Sequence, residues 1–261
     1  MGTETKALLL ACAAVALAPA AARAQDFEWS GRVDRGDAVE IKNINGGIQA
    51  TLASGDRVAV TAVKKDNGRG DPKDVRIEVV EHAGGVTLCA VYPDAGGRKN
   101  ECRPGDEGRL NSKDSEVSVE FTVQVPSGVN FVAHSVNGGI EARDLRSDVR
   151  AETVNGGVKV STSGVARAST VNGSIEAAMG RADWTGDLEF ETVNGGITVR
   201  LPEGFGARVK ASTVNGGMET DFPLTVQGRF GNRKIEGTIG GGGRDLSLET
   251  VNGTIRLKKA G

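Results

Sequence analysis

Three glutamates, Glu152, Glu191 and Glu249, each stand three residues before a recurring asparagine, so they share one position of an internal repeat. Carboxylates held side by side on neighbouring strands are the acid and base that cleavage of a glycosidic bond requires. A solvated strand face has the same composition, so this acidic stripe marks a surface before it marks an active site. The two histidines add little. His134 takes the outward polar slot of its unit, and His82 sits in a Glu-His-Ala-Gly turn. No HExxH, GxSxG or Cys-His pattern occurs. Gly240 to Leu248 fits one copy of a calcium-binding nonapeptide, but such sites are built from successive copies. Asp66, Asp71 and Asp74 lack the spacing of an EF-hand loop. Arg35-Gly36-Asp37 and Arg69-Gly70-Asp71 read as charged turns rather than receptor-binding tripeptides. Asn172-Gly173-Ser174 and Asn252-Gly253-Thr254 match a glycosylation acceptor but lie inside the turn motif. No catalytic, metal-binding or cofactor-binding residue is assigned, and no cofactor is expected.

The element that positions these side chains is the repeat. Asn-Gly, in the setting Thr-Val-Asn-Gly-Gly-Ile, is centred on Asn45, Asn137, Asn155, Asn172, Asn194, Asn215 and Asn252. The successive spacings are 92, 18, 17, 22, 21 and 37 residues. A period of about twenty with a fixed turn indicates stacked units. Before each turn, apolar and polar residues alternate, as in Leu188, Phe190 and the intervening Glu189 and Glu191. After it, Ile48, Ile140, Val158, Ile175, Ile197, Met218 and Ile255 open a second strand. Period-two alternation places one face of each strand inside. Asn-Gly is also the turn of a simple hairpin, since both residues tolerate positive φ. One fixed and one variable corner per unit favours a β-solenoid with rungs of roughly 18–22 residues over an antiparallel meander or sandwich. In such a coil the asparagine amides stack as a bonded ladder. The longer gaps are filled by degenerate rungs. Glu236-Gly237-Thr238-Ile239 stands in for one of them, and strands over 57–63, 75–80, 86–91 and 117–125 for others, about a dozen rungs in all. Phe27 and Trp29 are placed to cover the first rung, and Lys258-Lys259 to guard the last.

Residues 1–24 read as an export signal: Lys6, an apolar run from Ala7 to Ala18, Pro19, and small residues before a cut at Gln25. That run is too short to span a bilayer. A lipoprotein-type cut at Cys12 is the weaker alternative. Cleavage at Gln25 leaves 30 cationic and 33 anionic residues, a net charge of −3, which argues against nucleic acid or an anionic membrane as partner. No later segment is apolar enough for a membrane helix. Two cysteines remain, Cys89 and Cys102; in an exported chain they suggest one disulfide, with two free thiols as the alternative. Cys102 lies in a Gly-, Pro- and charge-rich loop from Tyr92 to Asp114, which is either functional or a plain insertion.

Thr153-Val154-Asn155-Gly156-Gly157-Val158, Thr192-Val193-Asn194-Gly195-Gly196-Ile197 and the lead-in Val125-Pro126-Ser127-Gly128-Val129 resemble the bacterial putative-adhesin family of β-strand repeat proteins, a domain of unknown function numbered DUF4097. The resemblance spans about residues 37–257. It implies an exported, single-domain, right-handed β-solenoid without catalytic residues. The expected organisation is a signal peptide (1–24), a capping segment (25–36), the solenoid (37–257) with its loop at 92–114, and a short tail (258–261). The expected function is that of a non-enzymatic envelope or surface protein, periplasmic or surface-exposed. Its partner would be a glycan, an envelope protein or another copy of itself. A carbohydrate-active β-helix enzyme is one competing reading, and a purely structural periplasmic module with no ligand is the other.

Overall fold

The computed structural model describes residues 27–94, 97, 99–226 and 234–260. The expected export signal, with Cys12, lies outside the described residues. Strands and one 3-10 turn, Pro72–Asp74, are the regular elements among those residues. The first part of the chain supplies β1 (Phe27–Gly31), β2 (Ala38–Lys42), β3 (Ile48–Leu52), β4 (Val58–Lys65), β5 (Arg76–His82), β6 (Gly85–Val91) and β7 (Ser118–Val125). The regular repeat follows as β8 (Asn130–His134), β9 (Ile140–Leu145), β10 (Val149–Glu152), β11 (Val158–Thr162), β12 (Ala166–Ser169), β13 (Ile175–Met179), β14 (Asp187–Asn194), β15 (Ile197–Leu201), β16 (Ala207–Asn215) and β17 (Met218–Thr220). The last strands are β18 (Thr225–Val226), β19 (Lys234–Ile239), β20 (Arg244–Asn252) and β21 (Ile255–Lys259).

They form two sheets. One runs β1-β4-β7-β3-β9-β11-β13-β15-β21-β17 and the other β18-β19-β16-β20-β14-β12-β10-β8-β2-β6-β5. Each Asn-Gly corner joins a strand of one sheet to a strand of the other, which makes the repeat solenoid-like. The stacked strands are parallel and in register: Val149 pairs with Phe131 on one side and Ala166 on the other. Like residues therefore pile on like, and the inward rows form one core between the sheets, with Phe131, Phe190, Ile140, Ile175 and Ile197 at most 1 % exposed. Each such side chain contributes about 1.5–3 kcal/mol by leaving water.

At the corner, Asn137 Nδ2 donates to Asn45 Oδ1 at 2.9 Å, and Asn155, Asn172 and Asn194 each donate to the preceding asparagine at 2.9, 2.8 and 2.8 Å. The series continues from Asn252 to Asn194 at 2.7 Å and from Asn215 to Asn252 at 2.8 Å. Apart from half-buried Asn45 these asparagines are exposed, so water competes for the bonds. Asn194→Ala, which loses one donated and one accepted bond, is accordingly expected to cost about 1–2 kcal/mol in urea unfolding. An unchanged midpoint would show that the backbone ladder alone holds the corner.

Three expectations about rung order are corrected. No rungs separate Asn45 from Asn137. The chain leaves after β3, builds β4 to β7 outside it, and returns so that β8 lies directly against β2 and β9 against β3. Of the intervening strands, β4 pairs antiparallel with β1 and β7, and β5 antiparallel with β6, whereas β6 and β7 stack parallel on β2 and β3 as one further coil turn outside the Asn45 rung. Nor is Glu236 to Ile239 a degenerate rung: it lies in β19, antiparallel to β16. The Asn252 rung is inserted between those of Asn194 and Asn215, because β20 pairs in parallel with both β14 and β16. Among the described residues, seven Asn-Gly rungs and the β6–β7 turn thus stack where about a dozen rungs were expected. Lys258 and Lys259 consequently sit on an interior strand, β21, paired with Asp221 at 3.2 Å and Glu203 at 2.9 Å. Phe27 and Trp29 pack against the end of the core from β1.

Candidate functional site

The densest polar constellation lies on the outer face of the second sheet, beneath the Tyr92 to Asp114 loop. Alternation along β2 turns Glu40 and Lys42 outward, and in-register stacking sets Lys42 beside His134 of β8 and His134 beside Glu152 of β10. On the other side, β6 places Thr87 beside Glu40 and Cys89 beside Lys42. Cys89 is bonded to Cys102, with Cα atoms 5.7 Å apart, and this link brings the loop over the sheet. Both faces of β6 are therefore covered, which explains why six of its seven residues are buried.

The loop is held from below. Lys42 Nζ donates to the carbonyl oxygens of Arg103 at 2.5 Å, Gly105, and Glu107 at 3.1 Å. Glu40 Oε2 accepts from the Gly105 amide at 3.0 Å and the Thr87 hydroxyl at 2.7 Å. Within the loop, Glu101 and Arg109 exchange backbone hydrogen bonds of 2.8 and 3.1 Å. Asn100 Nδ2 ties its neck to the carbonyls of Tyr92 and Asn111. Tyr92 is buried and donates to the Val117 carbonyl at 2.8 Å; burial pushes its phenol up to about 12. A shallow cleft opens between loop and sheet, bordered by Lys42, Ile44, Asp106, Arg109, Leu110 and His134.

His134 is the electrostatic centre. Its Nε2 lies 3.4 Å from Glu40 Oε1 and its Nδ1 3.3 Å from Glu152 Oε2. Burial disfavours the imidazolium, but the two carboxylates outweigh burial and hold its pKa up at about 9. The same contact, against the opposing effect of burial and aided by Arg150 at 2.6 Å, takes Glu152 down to about 2. Burial raises Glu40, yet His134, Thr87, the Gly105 amide and Lys42 together leave it below the usual carboxylate range. An imidazolium clamped between two carboxylates is a structural cation, and in that state it cannot accept a proton.

The pH dependence follows. The folded pKa of His134 lies above its unfolded value of 6.5, so its stabilisation is complete below that pH and lost as pH rises through about 9. Glu152 is depressed from 4.5, so its contribution is present above that pH and lost as pH falls through about 2. The two describe one shared contact and are counted once. Unfolding free energy is expected to decline by about 1–3 kcal/mol between pH 6.5 and pH 10. His134→Gln should flatten that alkaline slope; an equal slope in both proteins would remove the imidazolium from the account.

The acidic stripe is divided by this arrangement. Glu152 is engaged by His134 and Arg150, whereas Glu191 and Glu249 are register partners on β14 and β20, both exposed. Asp245, within the Gly240 to Leu248 segment, is paired with Arg208 at 2.7 Å. Among the described residues no group of three or more His, Cys, Asp and Glu side chains is arranged to hold a metal. Arg35-Gly36-Asp37 is a turn with Gly36 at φ 95°, and Asp71 of the second tripeptide caps the 3-10 turn through the Lys73 amide. Sequence reasoning missed the Glu40, Lys42 and Thr87 cluster, although a signal was present. Lys42, His134 and Glu152 hold the same repeat position, and the rungs assumed between Asn45 and Asn137 kept them apart.

This two-sheet stack of Asn-Gly corners, with residues 32–258 matched, belongs to the Toastrack family, DUF4097. Solved structures similar to the chain include a "putative cell adhesion protein" of Clostridium sporogenes, 12 % identical, covering 90 % of this chain and 99 % of that one at a TM-score of 0.45. Another is a "putative adhesin" of Bacteroides fragilis, 13 % identical, covering 88 % and 96 % at a TM-score of 0.38. Likenesses of this size carry no argument about function. No curated protein matches the chain. Among the described residues, no helix is long and apolar enough to cross a membrane.

Proposed function

We propose that this protein is a non-enzymatic, exported envelope or surface protein. In this reading, the stacked strands form a rigid support and the Tyr92 to Asp114 loop contacts an envelope glycan or protein. The observation that carries the reading is the grip on that loop: one ammonium bonded to the carbonyls of Arg103, Gly105 and Glu107, beside a disulfide to the same segment. A loop ordered before contact loses little entropy on binding, which is what a recognition element needs. The locked state of His134 favours binding over acid–base chemistry. Cleavage after residue 24 and a cap over 25–36 complete the proposed organisation; Lys258 and Lys259, expected in a tail, belong to β21. Right-handed winding with rungs of roughly 18–22 residues accords with the handedness of connections between parallel strands.

A glycan array, followed by incubation with acidic and neutral polysaccharides, tests this. Retention of a glycan by the wild-type protein, reduced in a Cys89→Ser, Cys102→Ser variant that keeps its strand content, is the expected result. Release of cleaved oligosaccharide would replace it with the enzymatic reading, for which exposed Glu191 and Glu249 are the candidates. Equal retention by the variant would take the loop out of recognition.

A further inference from the structure

The exposed large hydrophobic residues among the described ones all occupy one repeat position: Val136, Val154, Val171, Val214 and Val251, at 39–50 % exposure. Val193, half-buried, fills the remaining place. Rung order makes the row Val136, Val154, Val171, Val193, Val251, Val214, an unbroken apolar line about 24 Å long at the spacing of stacked strands. Its seventh position is Ile44, only 5 % exposed, which borders the loop cleft together with Leu110. The chain thus shields this row where its own loop reaches it and leaves the rest bare.

Polar groups beside the row are already satisfied. The threonines preceding the valines donate to glycine carbonyls of the adjacent rung, Thr153 to Gly138 at 2.9 Å and Thr192 to Gly173 at 2.8 Å among them. The asparagines following them bond to one another, and no charged residue interrupts the Thr-Val-Asn-Gly segments. Covering this edge therefore strands no buried charge and few hydrogen-bonding groups, as at the charge-depleted centre of an interface.

The geometry points to a second copy of this chain as the occupant, with the two valine rows laid antiparallel across a two-fold axis between Val171 and Val193. A straight row repeating at the strand spacing is matched by a partner with the same repeat, and a two-fold axis makes the row complementary to itself. Each copy offers on the order of a few hundred Å², short of the ~800 Å² per partner of a standard stable complex. The pairing is accordingly weak and concentration-dependent. It is independent of the loop-based reading above.

Sedimentation velocity on the wild-type chain from about 10 μM to about 1 mM tests it. A monomer–dimer shift is expected, abolished in Val154→Lys, Val171→Lys and weakened in the near-isosteric Val154→Thr, Val171→Thr, which decides the matter if the lysine variant fails to fold. A single monomeric species at every wild-type concentration overturns the proposal. So does a dimer equally strong in the folded variants. Because the loop is untouched by these substitutions, glycan retention by the variants separates this outcome from the loop reading.

Discussion

Gly156→Ala is expected to cost about 3–5 kcal/mol, while Gly157→Ser, one residue away, costs less than about 1 kcal/mol. A Cβ on Gly156 would stand 2.3 Å from the Gly138 carbonyl oxygen and 2.8 Å from the Gly139 amide nitrogen. Both are backbone atoms of the neighbouring rung and cannot rotate away. Relief requires these two rungs to separate, which breaks the bonds from the Gly138 amide to the Asn155 carbonyl at 3.0 Å and from the Asn155 amide to the Val136 carbonyl at 2.7 Å. On Gly157 the nearest atom would be the Ser174 carbonyl oxygen at 3.4 Å, an ordinary contact. The chain already carries Ser174 and Thr254 at that place in two rungs. Of the glycines that directly follow the ladder asparagines, only Gly46 has positive φ, at 111°. Close approach, rather than the left-handed conformation of a hairpin turn, is what demands glycine at the others. Urea midpoints of the two variants provide the check, and equal losses would defeat the close-approach argument.

Lys42→Ala is expected to remove about 2–4 kcal/mol and loosen the loop. The substitution strips the donor from three carbonyls and leaves Glu40, 6 % exposed, without the ammonium 3.8 Å away. Glu40 Oε1 makes no hydrogen bond even in the wild type, so its charge depends on Lys42 and His134 nearby. Adding Glu40→Gln to Lys42→Ala should recover part of the loss, giving a coupling of about 1–3 kcal/mol in a double-mutant cycle. Faster tryptic cleavage after Arg109, which Leu110 follows, in the single variant would report the released loop. Additive losses, with cleavage unchanged, would show that the disulfide alone holds the loop.

Much of this architecture was legible in the chain. Alternation around each Asn-Gly assigned the inward rows, and strands expected over 57–63, 75–80, 86–91 and 117–125 are present as β4 to β7. The exposed valine row was equally written in every Thr-Val-Asn-Gly, but a lone valine before a turn carries no information on exposure. Only its position on the outside of a stacked corner does.

What the sequence by itself determined is the unit: its two strands, their inward faces, its corner and the two cysteines available for pairing. Tertiary structure decided which unit touches which. Alternation sets a strand's faces through local stereochemistry, whereas near-identical rungs are interchangeable neighbours, so nothing in the repeat tells β20 to lie between β14 and β16. That choice comes from long-range contacts, such as Arg208 with Asp245 at 2.7 Å and the Trp184 indole with the Asp245 carbonyl at 3.0 Å. The same freedom brought β2 against β8, and with it a histidine between two carboxylates.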